Sequence, residues 1–300
     1  MSFSQDAKND LCTQSIKKRC CKISLLYGML LFSGVFTGNR IKLITETEGV
    51  ASLVAGLLHS LAGVESNLYV SEKKSGGETI GSYKLTVAVK SDVEKVSALF
   101  GDHIDEIDPA VFSCPMCESS FLRGAFLVGG SVSSPKSGYH LDITTPSPVL
   151  AAGVCDMLNS NGLQAKCTER QGRMAVYLKD SEQIQDFLTL IGAQLAALDM
   201  MNEKIFKDVR NNENRRSNCE TANIFRMTGS AEEQTRAINK IMAEGRFEEL
   251  PEDLKMTANL RLENPFSSLE QIACLISASD CGSISGDTLL RAGFEHTGVW

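Results

Sequence analysis

Phe121–Ser134 reads FLRGAFLVGGSVSS, and the fold turns on this stretch. Its apolar residues Phe121, Leu122, Ala125, Phe126 and Val128 form a helical run punctuated by Gly124, Gly129 and Gly130. Each such glycine costs an isolated helix about 1 kcal/mol relative to alanine. Glycine becomes useful where two helix backbones approach closely, because only a hydrogen lies between them. The stretch has an echo upstream. Leu25–Gly38, LLYGMLLFSGVFTG, places Gly28 and Gly34 96 residues before Gly124 and Gly130, and Cys21 stands at the same offset from Cys117. The pattern reads as a duplicated unit whose two glycine-bearing helices pack against each other.

Outward from these helices the same context recurs. In the first repeat, Ile23–Gly34 reads as a helix and Arg40–Thr45, RIKLIT, alternates as a half-buried strand does. Gly49–Ala62 is an amphipathic helix stopped by Gly63, and Ser66–Glu72 and Tyr83–Val89 flank a Ser75-Gly76-Gly77 turn. Ser91–Phe100 closes the repeat as a helix with Ser91 as its N-cap. The second repeat gives the helix Ser119–Gly130, the strand Tyr139–Thr144, the helix Pro148–Asn159, the strands Leu163–Glu169 and Met174–Leu178, and the helix Asp180–Ile191. Past about residue 196 the pattern becomes all helix: Leu198–Val209, Ser230–Glu244 with a Ser230/Glu233 capping box, Pro251–Glu263, Ser267–Ile276 with a Ser267/Glu270 capping box, and a last helix near Ser285–Phe294. The expected fold class is α+β: a duplicated αββαββα domain with pseudo-twofold symmetry over 1–196 (repeats about 20–100 and 115–191), then a helical domain over 197–300 with a helix-turn-helix at about 267–300.

Three hundred residues suit two or three domains, and a net charge of −7 excludes a generally basic protein. Nucleic-acid contact must therefore come from local patches. One is the acid-free run Leu11–Thr45 with Lys17, Lys18, Arg19, Lys22, Arg40 and Lys42; another is Lys204, Lys207, Arg210, Arg215 and Arg216. Either run fits a solvated face as well as a phosphate track. Ile23–Phe36 mimics a signal peptide, but it starts late, lacks an A-x-A site, is repeated internally, and is too short for a bilayer, which needs about 20 residues. It reads as a buried helix, and no membrane partner is expected. The ten cysteines invite a zinc reading, since Cys114-Pro115-Met116-Cys117 has knuckle spacing. No second CxxC or HxxxH accompanies it, and Cys117 is accounted for as the duplicate of Cys21. Reduced packing cysteines in a cytoplasmic protein are expected, with no metal and no cofactor. His59, His103, His140 and His296 lack catalytic or metal spacing, and no P-loop or Rossmann loop is present.

The glycine helices resemble the LAGLIDADG motif of homing endonucleases, and the repeat architecture resembles that family's doubled domain. The resemblance implies an acid near each helix end that holds the divalent cation activating water. Ser33 and Gly129 stand there instead. Neither offers the hard anionic oxygens that Mg²⁺ prefers, so no catalytic residues and no nuclease activity are expected. The match narrows further. FLRGAFLVGGSVSSPKSGYHLDI (Phe121–Ile143), RNNENRRSNCETANIFR (Arg210–Arg226) and LPEDLKMTANLRLENPFSSLEQIACLI (Leu250–Ile276) resemble, in order, three signatures of the WhiA family of bacterial transcription and cell-division regulators. The resemblance implies a cytoplasmic, nucleoid-associated regulator of division, chromosome segregation and sporulation genes.

The expected partner is double-stranded DNA, with another transcription regulator as the alternative; the oligomeric state stays open. Arg210, Asn211, Asn214, Arg215, Arg216, Asn218 and Asn223 present guanidinium forks and amides suited to phosphates and base edges, although the amides could equally cap a long loop. Ser268, Gln271, Ser285, Gly286 and Arg291 are the helix-turn-helix candidates. The family's last helix reads like SKSGVNHRL. Here Ile284 takes the Lys position and Asp287 adds a charge that phosphates repel, which leaves Ser285 and Arg291 suited to DNA. A protein-interaction scaffold that has lost DNA recognition is the competing reading.

Overall fold

The computed structural model describes residues 2–75, 78–101 and 106–279. After a leading helix, α1 (Phe3–Thr13), the first repeat runs α2 (Arg19–Leu31), β1 (Val35–Thr37), β2 (Arg40–Thr45), α3 (Glu48–Ala62), β3 (Asn67–Ser75), β4 (Glu78–Val87) and α4 (Lys90–Ser97). The second runs α5 (Met116–Gly129), β5 (Gly130–Val132), β6 (Leu141–Thr145), α6 (Pro148–Ser160), β7 (Lys166–Arg170), β8 (Arg173–Leu178) and α7 (Ser181–Ile191). Then come α8 (Gln194–Ala243), α9 (Glu252–Glu263) and α10 (Leu269–Ser279).

The two repeats build the same antiparallel sheet, ordered β1-β2-β4-β3 in one and β5-β6-β8-β7 in the other. Alternation sets the inner faces. Ile41 opposes Val87 and Leu43 opposes Leu85, as Leu141 opposes Leu178 and Ile143 opposes Val176. All eight side chains are buried in one core shared by both repeats. At its centre α2 lies against α5. A Cβ placed on Gly28 would come within 2.2 Å of the Phe121 carbonyl oxygen, and one on Gly124 within 2.2 Å of that of Leu25. Only glycine permits this approach, and Leu25, Met29, Phe121, Leu122 and Ala125 fill the space around it. A buried side chain of leucine size contributes about 2 kcal/mol.

Local chemistry places the ends. Ser2 and Gln5 form a capping box on α1, Ser147 accepts from the Leu150 N–H at the start of α6, and Gly63 ends α3 in the left-handed region at φ 64°. The Arg123 guanidinium, half-buried on α5, donates to the Ile191 carbonyl at 2.6 Å and to Gln14 at 2.7 Å, tying the end of α7 to the segment after α1.

Several expected boundaries are corrected. The closing helix of the first repeat starts at Lys90 behind Val89, so Ser91 is inside it and is not the cap. The helices 198–209 and 230–244 are parts of one 50-residue helix, α8, and Ser230 and Glu233 are interior to it. Between Gln194 and Ala243 there is no proline and one glycine, Gly229, whose helix penalty of about 1 kcal/mol the surrounding turns absorb. The capping box before α10 is one residue later than expected: Ser268 Oγ accepts from the Gln271 N–H at 3.1 Å, and the Gln271 side chain accepts from the Ser268 N–H at 2.8 Å.

The chain divides into two compact units, Met1–Lys207 and Asp208–Trp300. The second has its own small core, Ile238, Ile241 and Ala258, with Leu250, Leu262 and Leu269 packed against it. There the buried Arg261 guanidinium donates to the Ser267 carbonyl at 2.6 Å, fixing the turn into α10. The expected helix near 285–294 lies outside the described residues.

Candidate nucleic-acid interface

Side chains paired across a sheet share a face. The face of the first sheet opposite its core therefore carries Arg40 and Lys42 from β2, with Lys42 opposite Thr86 and Ile44 opposite Lys84. Lys84 also sits over the Tyr69 ring, 5.8 Å from its centre. The corresponding face of the second sheet pairs Arg170 with Arg173 and Lys166 with Tyr177. Lys179 and Arg170 lie 5.3 and 5.8 Å from the Tyr177 ring centre. The acid on this face, Asp142, is taken up by the Ser131 hydroxyl. Both sheets thus present cations interleaved with a tyrosine. Arg40 and Lys42 belong to the acid-free basic run, whereas Lys84, Lys166, Arg170, Arg173 and Lys179 belong to neither basic run of the sequence. The alternation that buries Val176 and Leu178 was the signal that could have placed Arg173 and Tyr177 on the outer face.

Between these faces, at the C-terminal ends of α2 and α5, is a cleft of about 410 Å³ lined by Phe32, Ser33, Gly34, Val35, Lys42, Ile44, Val128, Gly129, Thr144 and Arg173. Ser33 and Gly129 meet here, as their shared place in the two repeats requires. The Ser33 hydroxyl donates to the Leu30 carbonyl at 2.7 Å. A Cβ on Gly129 would come within 2.6 Å of the Thr144 carbonyl oxygen, so this backbone has no room for a side chain there. Among the described residues the lining holds two cations and no carboxylate. That charge favours a phosphate and opposes a divalent cation.

In the second unit, Arg210, Asn211, Asn214, Arg215, Arg216, Asn218 and Asn223 are all exposed along α8 and cap no loop. At about 100° per residue, Arg210, Asn211, Asn214, Arg215 and Asn218 fall within one arc of about 140°. Arg216 and Asn223 fall on the other side, where Arg216 pairs with Glu220 at 3.0 Å. The basic run does not act as one cluster. Lys204 pairs with Glu182 at 2.6 Å, and Lys207 donates to the Pro135 carbonyl and lies 4.8 Å from the Tyr139 ring centre. Ser268 and Gln271 are engaged in the α10 cap. Ser285, Gly286 and Arg291 lie outside the described residues, as do His103 and His296. His59 pairs with Glu65 on the surface, and His140 stands 6.1 Å from the Tyr177 ring.

The packing-cysteine expectation needs revision at one place. Cys20 and Cys21 of α2 meet Cys114 and Cys117 beside the start of α5, with all four sulfurs within 4.8 Å of one another. The CPMC pair does have a complement, a vicinal pair supplied by the other repeat. The Met116 N–H, with help from neighbouring thiols, lowers the Cys114 pKa to about 7, while burial raises that of Cys21 to about 12.

The doubled sheet, the paired glycine helices and the trailing helical unit define a LAGLIDADG-like fold joined to a helix-turn-helix region. Residues 118–210 match the WhiA LAGLIDADG-like domain, and residues 214–287 match the WhiA C-terminal HTH domain. The chain is 34% identical over 303 residues to a protein named "Probable cell division protein WhiA" from Macrococcus caseolyticus, covering 99% of this chain and 93% of that one. It is 33% identical over 281 residues to the protein of the same name from Ruminiclostridium cellulolyticum, covering 91% and 90%. The crystal structure of full-length DUF199/WhiA from Thermatoga maritima shares the fold, with a TM-score of 0.60 at 24% identity over 99% of this chain and 96% of that one. This chain belongs to the WhiA family. Among the described residues no helix is long and apolar enough to cross a membrane.

Proposed function

We propose that this chain is a DNA-binding regulator of cell division that holds duplex DNA without cutting it. The observation that carries the reading is the cleft at the α2 and α5 ends. Where a nuclease of this fold needs carboxylates, Lys42 and Arg173 stand beside Ser33 and Gly129. The outer faces of both sheets continue the positive charge through Arg40, Lys84, Lys166, Arg170 and Lys179. In this reading the duplicated domain, residues 1–196, tracks the phosphate backbone. The helical domain, 197–300, adds Arg210, Asn211, Asn214, Arg215 and Asn218 and the helix-turn-helix. The names of the relatives support a role in division, and chromosome segregation and sporulation genes are its natural targets, in a cytoplasmic protein associated with the nucleoid.

The test is binding of the full chain to a 30-base-pair duplex by fluorescence anisotropy across salt. With six or more phosphate contacts, affinity falls by about 10³ or more between 50 and 200 mM salt. Changing Lys42→Glu together with Arg173→Glu removes two such contacts and flattens the log–log slope by about 2. Affinity indifferent to salt and to these changes would overturn the reading. The alternative, a protein-interaction scaffold, draws on Ile224 and Phe225 of α8, which are 57% and 72% exposed, and on Asp287 in the last segment. Failure to bind any duplex, with retained binding to another regulator, would favour it.

A further inference from the structure

Four thiols from two distant parts of the sequence converge where the glycine helices begin. The Cys114 sulfur lies 3.7 Å from that of Cys20, 3.6 Å from that of Cys21 and 3.6 Å from that of Cys117. We propose that Cys20, Cys21, Cys114 and Cys117 bind one structural Zn²⁺ that pins the N-terminal ends of α2 and α5 together.

The distances select the ion. A Zn–S bond of about 2.3 Å puts the sulfurs of a tetrahedral Cys₄ site about 3.8 Å apart, close to the three separations observed. A disulfide would need about 2.05 Å. The whole group fits within 4.8 Å, which admits a single metal; a [4Fe–4S] cluster spreads its four thiolates over four irons and a [2Fe–2S] cluster divides them between two, and both need the sulfurs further apart. Four soft sulfur ligands favour Zn²⁺ over Mg²⁺ or Ca²⁺, which take oxygen ligands.

The surroundings suit a thiolate-bound cation. Cys20 and Cys21 lie in the first turn of α2, and Cys117 lies in the first turn of α5 with Cys114 just before it. Both helix N-termini therefore direct their positive ends at the sulfurs. A tetrathiolate zinc carries a net charge of −2, and Lys17, Lys18, Arg19 and Lys22 are the cations next to it in sequence. This gives the acid-free run a role apart from nucleic acid. Two ligands, Cys21 and Cys117, are buried, and all four positions are filled by protein. That is a closed, structural site, with no position left for water or substrate. Binding releases the thiol protons to solvent and involves no change of oxidation state. The site lies at the opposite end of the α2–α5 pair from the Ser33/Gly129 cleft, so its test is independent of DNA binding.

The experiment is metal analysis of the full chain purified under reducing conditions. The expected content is one zinc per chain. Blocking thiols with a mercurial releases that zinc, and exchange for Co²⁺ gives the intense visible bands of a tetrahedral tetrathiolate site. The double change Cys114→Ser and Cys117→Ser abolishes zinc, whereas Cys167→Ser and Cys219→Ser leave it in place. Should the double variant fail to fold, the wild-type Co²⁺ spectrum and mercurial titration decide the matter alone. Protein without stoichiometric zinc and without the cobalt bands would overturn the proposal. So would iron in place of zinc, zinc retained by the double variant, or a disulfide between the two cysteine pairs in freshly prepared protein.

Discussion

A hydrogen at position 28 and another at position 124 set how close α2 and α5 can come. Glycine in a helix interior is ordinarily a loss, because it pays more backbone entropy than alanine. Here the loss is offset, since a methyl at Gly28 would lie 2.2 Å from the backbone oxygen of Phe121, which cannot rotate away. The sign of a Gly→Ala change should therefore depend on position. At Gly56, on the exposed side of α3, an added Cβ meets no atom within 4 Å, and Gly56→Ala should stabilise by about 1 kcal/mol. Gly28→Ala should instead cost about 1–3 kcal/mol or more through overpacking. Urea denaturation of both variants measures the contrast, and equal shifts of the same sign would refute the packing account.

Among the elements, α8 holds the clearest difference between the two readings of the basic segment. As a loop, Arg210–Asn223 would spend its amides on its own backbone. As a helix, it satisfies its backbone internally and turns those side chains outward. The helix also sorts them by direction. Arg210 and Arg215 share an arc with three asparagines, and Arg216 faces away and pairs with Glu220. If the arc contacts DNA, Arg210→Glu with Arg215→Glu should weaken duplex binding by about tenfold or more at 100 mM salt, each lost phosphate contact counting. Arg216→Glu should cost far less. Anisotropy titrations of the two variants compare the faces, and a larger effect from Arg216 would place the contact on the other side.

For the whole molecule, net charge and charge placement point in different directions. A chain at −7 repels DNA on average, yet the outer sheet faces and the α2–α5 cleft concentrate lysine and arginine. Local fields of this kind can dominate association where like-signed residues are grouped. The same grouping bears on cleavage. Metal-assisted hydrolysis of a phosphodiester needs a cation held by anionic ligands, and the cleft lining offers Lys42 and Arg173. Supercoiled plasmid incubated with the chain and Mg²⁺ or Mn²⁺ should remain supercoiled at protein concentrations that saturate binding. Nicking that follows added metal and disappears with a chelator would contradict the assignment.

By itself the sequence determined the duplication, the glycine helices, the alternating strands, and that Ser33 and Gly129 hold equivalent places in the two repeats. Each of these is a local or periodic signal: a 96-residue offset, apolar residues at helical spacing, RIKLIT with its period of two. It also carried the family signatures. Continuity of α8 was not legible, because a polar, asparagine-rich segment has no apolar period to mark it as helix and no breaker to mark it as loop. The outer-face cations Lys84, Arg170 and Arg173 emerged only once strand pairing had assigned their faces. The four cysteines met only in three dimensions, since Cys20 and Cys114 are 94 residues apart and neither pair alone has the spacing of a complete site. Long-range convergence of this kind depends on how α2 packs on α5, and that packing is settled by the tertiary fold.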